Sequence, residues 1–220
     1  MYSEQNKRVI KLDEDEENTP ENLITIYEKM NLETAGKIWE CSLILGRYLI
    51  KQAYFNKIEL ANKTVLELGC GTGILSIILG KQGCNVLATD LPQVEALCEQ
   101  NISKNNIANQ VKFKILDWNQ SKHKTDCLID KKHIDIIVAS DPIYNQKTFD
   151  SFFAQLKILY EVIPNKPILY LAHKYRHDEF DKNLEDKIEE TDLWFKKVDS
   201  EHLDELWKSQ QCVVYKIGKF

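Results

Sequence analysis

Three glycines at alternate positions, Gly69, Gly71 and Gly73, follow the apolar run Val65-Leu66-Glu67-Leu68, with Cys70 and Thr72 between them. Glycines placed so let a chain turn sharply from a strand into a helix, and let a ligand approach the backbone with no Cβ in the way. Alone they mark only a tight strand-to-helix turn. Their spacing narrows the ligand, because the dinucleotide fingerprint G-x-G-x-x-G needs glycine at position 74, where the chain has Ile74. A nicotinamide or flavin dinucleotide is therefore not expected. Asp90, seventeen residues after Gly73, ends the next apolar run, from where a carboxylate can accept hydrogen bonds from both hydroxyls of a ribose.

Two further groups follow apolar runs of strand length. Asp117-Trp118 offers a carboxylate and an indole, and Ser140-Asp141-Pro142-Ile143-Tyr144 offers a second acid and an aromatic ring. Singly, Asp117 reads as a surface loop acid, Trp118 as packing and Asp-Pro as a turn opener. Together the glycines and acids fall at the ends of four consecutive strands, so a parallel sheet would gather them in one crevice.

The elements that must do the gathering alternate regularly. Short apolar stretches at 64–68, 85–89, 111–116, 134–139 and 167–172 read as strands, and 74–81, 91–105, 148–162 and 178–190 as helices between them. Two final strands are expected at 193–198 and 211–216. Ahead of these, 23–27 reads as a strand and 38–55 as a helix, an N-terminal extension to the main series. The fold class is therefore α/β: a Rossmann-like, seven-stranded sheet, mostly parallel with its last strand antiparallel, covered by helices on both faces. The polar connection 119–133 reads as irregular. Residues 1–22 carry the acidic run Asp13-Glu14-Asp15-Glu16-Glu17 and few large apolar side chains, so a flexible arm is expected there, with a short strand at Arg8-Val9-Ile10.

Composition narrows the classes. At 220 residues and 43% hydrophobic, the chain is long enough for one substantial core, and one domain is expected over 23–220. No apolar window is long enough to span a membrane and the N-terminus lacks a signal-peptide core, so an intracellular, cytoplasmic protein with no membrane partner is expected. Cys41, Cys70, Cys84, Cys98, Cys127 and Cys212 are too scattered for a zinc site, and no metal is expected. A net charge of −5 argues against a nucleic-acid partner. A monomer is the expected state.

From Leu23 onward the chain resembles the seven-stranded S-adenosylmethionine-dependent methyltransferases, and within them the non-histone protein-lysine methyltransferases sometimes called family sixteen, of methyltransferase-like protein twenty-one type. The resemblance rests on Gly36-Lys37-Ile38-Trp39 before the first helix, Glu67-Leu68-Gly69-Cys70-Gly71-Thr72-Gly73, Asp90, Trp118 and Asp141-Pro142-Ile143-Tyr144. It implies S-adenosyl-L-methionine as cofactor, held by Trp39, Glu67, Gly69, Cys70, Gly71, Gly73, Asp90, Asp117, Trp118 and Ser140. It implies Asp141 and Tyr144 as the catalytic residues, and a protein substrate such as an elongation factor or chaperone, methylated on a lysine amine. Asp141-Pro142-Ile143-Tyr144 also resembles the D/N/S-P-P-Y/F motif of enzymes that methylate amino groups of bases or glutamine, with Ile143 in place of the second proline. A small-molecule or nucleic-acid amino methyltransferase is thus the alternative, and a noncatalytic module that keeps the crevice is a third reading.

A lysine amine, with a reference pKa near 10.4, is only about 0.1% neutral near pH 7.4 and must lose a proton before attack. Asp141 is the expected orienting group and Tyr144 an aromatic wall. The run His173-Lys174-Tyr175-Arg176 ends the fifth strand of the main series, where basic residues are ordinarily solvated but where they can also line the substrate mouth.

Overall fold

The computed structural model describes residues 5–12, 19, 22–119, 125, 133–176, 179–203 and 211–220. Among the described residues nine strands and five α-helices follow one another: β1 (Gln5–Lys11), β2 (Leu23–Lys29), α1 (Glu40–Tyr54), β3 (Thr64–Leu68), α2 (Ile74–Lys81), β4 (Asn85–Asp90), α3 (Glu95–Lys104), β5 (Val111–Ile115), β6 (Ile136–Ser140), α4 (Gln146–Val162), β7 (Ile168–Lys174), α5 (Glu179–Glu190), β8 (Leu193–Lys197) and β9 (Cys212–Lys219). Seven strands form one sheet in the order β5-β4-β3-β6-β7-β9-β8. Strands β3 to β7 run parallel, and β9 lies antiparallel to both β7 and β8. The α/β class, the seven strands and the antiparallel final strand agree with the sequence reading.

Alternation along each central strand divides its side chains between two apolar layers, as the twofold period of a strand requires. Val65 of β3 joins the layer with α1, α2 and α3, whereas Leu66 and Leu68 join Phe152, Leu156 and Tyr160 of α4 on the other face. In α2, Ile74 to Gly80 are all buried, as a helix pressed between the sheet and its neighbours must be. Burying each large apolar side chain contributes about 1.5–3 kcal/mol.

The N-terminal strands form their own sheet. β1 pairs with β2 along its whole length, and Ile10, Leu12, Ile24 and Ile26 are buried in the layer over α2 and α3. β1 thus runs longer than the short strand expected at Arg8-Val9-Ile10, because its alternate apolar residues find a core. The acidic run Asp13 to Glu17 lies outside the described residues, as does most of the 119–133 connection.

Side chains of α3 bind β2 much as a neighbouring strand would. Asn101 Oδ1 accepts from Tyr27 N at 2.8 Å while its Nδ2 donates to Tyr27 O at 3.1 Å, and Asn105 does the same for Thr25 at 3.0 and 2.7 Å. Asn101 Nδ2 also donates to Thr72 O at 2.8 Å, so one buried amide joins the N-terminal sheet to the glycine turn. The helix expected over 91–105 is divided, with Pro92–Val94 a 3-10 turn before α3. Proline fits such a first turn because it has no N–H to satisfy.

Candidate active site

The turn between β3 and α2 needs its glycines. Gly69, Gly71 and Gly73 all have left-handed φ, of 73°, 51° and 80°, which a Cβ would strain. A Cβ on Gly73 would also lie 2.8 Å from Cys98 Sγ. The turn hangs on β4, with Gly69 N and Cys70 N both donating to Thr89 O at 2.9 and 3.0 Å. Asp90, at the end of β4, then anchors the loop: Oδ2 accepts from Gly71 N at 2.8 Å and Oδ1 from Leu91 N at 2.7 Å. Burial raises the Asp90 carboxyl above its ordinary value, opposed by these two backbone donors.

A cleft of about 310 Å³ opens over this turn, at the carboxyl ends of the strands, where open α/β sheets bind ligands. Ten of the twelve residues singled out in the sequence line it: Trp39, Gly69, Cys70, Gly71, Asp90, Asp117, Trp118, Ser140, Asp141 and Tyr144. Trp39 precedes α1 and its Nε1 donates to Thr34 O at 2.8 Å. Trp118 packs edge-on against Phe152 with ring centroids 5.6 Å apart, and its ring lies over Gly69. Asp117 Oδ1 accepts from Asn119 N at 2.9 Å, which shapes the loop after β5. Thr34, Ala35, Lys37, Leu91, Leu116 and Lys147 also line the cleft, and no spacing pattern in the chain marked them.

Two residues fall outside it. Gly73 packs against Cys98. Glu67 is fully buried beneath the turn, where Ser76 Oγ of α2 donates to its Oε2, while Oε1 has no partner among the described residues. Burial pushes its carboxyl up to about 8, reinforced by the charge of Asp90 and opposed by the Ser76 hydrogen bonds.

Asp141 is the most constrained residue of the cleft. Its φ of 52° is left-handed although it is not glycine, and such strain persists only where surrounding contacts hold it. Here its N–H donates to Ala172 O at 2.7 Å. Its carboxylate is gripped by Arg176, Nη1 to Oδ1 at 2.9 Å and Nη2 to Oδ2 at 2.5 Å, and Lys174 N donates to Oδ1 at 3.3 Å. The following loop is fixed by the start of α4. Asn145 Oδ1 accepts from Thr148 N, and Thr148 Oγ1 accepts from the N–H groups of Tyr144 and Asn145, a capping box that leaves the Tyr144 ring exposed at the cleft mouth.

Behind Arg176 lies a buried contact between His173 and Asp181. His173 Nε2 is 2.6 Å from Asp181 Oδ1, Arg176 N donates to Asp181 Oδ2, and His173 Nδ1, 3.9 Å from Asp141 Oδ1, has no hydrogen-bond partner among the described residues. Of the basic run at the end of β7, Lys174 pairs with Glu40 of α1 at 3.3 Å and Arg176 lines the cleft. The carboxylate of Asp141, oriented at a fixed point, can position a cationic or hydrogen-bonding acceptor beside a ligand on the glycine turn.

The chain is 31% identical over 144 residues to the Xenopus laevis histone-arginine methyltransferase METTL23, covering 64% of this chain and 58% of that protein. It is 31% identical over 126 residues to the Saccharomyces cerevisiae protein-lysine N-methyltransferase EFM2, covering 50% of this chain and 30% of that one. It is 29% identical over 137 residues to the Xenopus tropicalis EEF1A lysine methyltransferase 3, covering 62% and 57%. The matches thus span little more than half the length of these relatives, or less. A TehB-like methyltransferase from Corynebacterium glutamicum shares the fold with a TM-score of 0.57, at 17% identity over 86% of this chain and 92% of that one. A lysine methyltransferase family model matches residues 18–191, which include every residue singled out above. The chain belongs to the lysine methyltransferase family.

Proposed function

We propose that the protein transfers a methyl group from S-adenosylmethionine to a lysine side-chain amine of another protein. The observation that carries this reading is the single cleft in which the glycine turn and Asp90 face the Asp141-to-Tyr144 loop. The residues fit the cofactor. Left-handed glycines leave bare backbone where a Cβ would crowd Ala35 O at 3.1 Å or Trp118 at 3.3 Å, and Asp90 keeps acceptor capacity for ribose hydroxyls beyond its two backbone bonds. Trp39, Gly69, Cys70, Gly71, Asp117, Trp118 and Ser140 would complete the holding surface. S-adenosylmethionine, when bound, supplies a methyl group on a positively charged sulfur, so the protein's task is mainly positioning.

Asp141 orients the incoming amine by accepting its hydrogen bonds, and Tyr144 walls the approach. Among the described residues no helix is long and apolar enough to cross a membrane, and the five described cysteines are free thiols, as suits the reducing cytoplasm included in this reading. One observation favours a second reading, transfer to an arginine: Asp141 already holds a guanidinium, that of Arg176, in two-point fashion, and several relatives are named histone-arginine methyltransferases.

The test is recombinant protein with methyl-labelled cofactor on cell lysate, followed by mass spectrometry of the labelled residue. Label on lysine is expected from the native chain, and at least a hundredfold less from Asp141→Ala with cofactor affinity retained. Label on arginine selects the second reading, and full labelling by Asp141→Ala removes Asp141 from its role.

A further inference from the structure

We propose that Arg176 is a positioning residue that fixes Asp141 and cancels its charge, so that the lysine amine meets a neutral pair and gives up its proton. This rests on the lysine reading above. An unpaired carboxylate beside a bound ammonium favours the protonated, unreactive form, which opposes the reaction that orientation by Asp141 is meant to serve. The structure resolves that conflict.

The Asp141 side chain is only 4% exposed and Arg176 covers it from the cleft side, its own side chain 30% exposed. Both carboxylate oxygens accept from the guanidinium, a planar match that lysine does not provide. The guanidinium is itself held, by Nη1 donating to Lys174 O at 2.9 Å and by its backbone N–H on Asp181. Beyond its bond to Arg176, Asp141 Oδ2 has lone-pair capacity enough to accept one N–H of an amine.

The neighbouring charges do not disturb the balance. From β7, Lys174 is paired with Glu40 of α1, and His173 shares Asp181 of α5. Cys41 of α1 lies against Cys212 of β9, with Sγ atoms 3.3 Å apart, and that contact together with burial holds the Cys41 thiol well above its ordinary range, hence uncharged. Lys37 and Lys147 at the cleft wall add two cations, set against Asp90 and Asp117. The formal charges of the described cleft lining, Asp90, Asp117 and Asp141 against Lys37, Lys147 and Arg176, thus cancel around an entering ammonium. It passes its proton to water at the open mouth and keeps the lone pair needed for attack.

Two measurements test this. In the first, initial rates of lysine labelling in lysate protein are taken against pH. Arg176→Gln is expected to lose about tenfold near neutral pH and to move its optimum about one unit alkaline, one unit being tenfold in the neutral amine. Arg176→Lys, which keeps the cation but not the fork, should lose rate and hold the native optimum. Should Arg176→Gln fail to fold, as judged by circular dichroism and S-adenosylhomocysteine calorimetry, the Lys variant decides: an alkaline shift there overturns the proposal. In the second, ¹⁵N resonances of the Arg176 guanidinium, identified by their loss in Arg176→Gln, should show two resolved Nη signals that merge in Asp141→Asn. A merged signal in the native chain, or a native optimum in Arg176→Gln, overturns the proposal. Native label on arginine, or none, overturns the lysine reading and this proposal with it.

Discussion

Asp90 has one task in the fold and a second in the proposed reading. Its oxygens hold the backbone of Gly71 and Leu91, and the same residue lines the cleft, where we propose that it takes the ribose. Asp90→Ala should therefore weaken S-adenosylmethionine binding by roughly 1.5–3 kcal/mol, the value of hydrogen bonds to a charged group, or roughly ten- to hundredfold in Kd by calorimetry. Unchanged affinity would leave the carboxylate with its loop-holding task alone. At this scale the site was largely legible, because strand-end acids and glycines announce themselves by type and spacing. The grip of Arg176 on Asp141 was not. The two lie 35 residues apart, and nothing in His173-Lys174-Tyr175-Arg176 distinguishes the side chain that turns to the cleft from the one that pairs with Glu40. Glu67 misled in the opposite sense: it belongs to the glycine motif, yet it points into the interior.

Among the elements, α3 is the joint between parts. Replacing Asn101 by alanine removes the partners of Tyr27 N, Tyr27 O and Thr72 O together, at about 1–3 kcal/mol for each group left buried and unsatisfied. We expect Asn101→Ala to lower the urea midpoint and also to weaken cofactor binding, through the freed Thr72 end of the glycine turn. A lower midpoint with unchanged binding would show that the turn holds without this tie. The alternation of strands and helices was readable from apolar periodicity, since the central strands β3, β6 and β7 are apolar on both faces and α1 and α4 carry an apolar stripe. The attachment of β1 and β2 to α3 was not, because it runs through asparagine side chains that sequence patterns assign to a helix surface.

For the whole molecule, Glu67 couples stability to pH. Folded, its carboxyl titrates near 8 against an ordinary 4.5, so between those values the unfolded chain releases a proton that the folded chain keeps. Stability contributed by this group is therefore full below about pH 4.5 and is lost as pH rises toward 8, by an amount on the order of a few kcal/mol. Glu67→Gln, which stays neutral, should be more stable than the native chain near pH 8 and closely matched near pH 5, in urea titrations at both. An equal difference at the two values would show that Glu67 does not titrate in this window.

The place of β9 between β7 and β8 bears on how the molecule comes into being. On the ribosome β8 emerges first, yet its hydrogen-bonded neighbour is a strand not yet synthesised. Until β9 threads into the gap, β7 offers a naked edge and β8 is an orphan, so that half of the sheet assembles in a single late closing event rather than strand by strand.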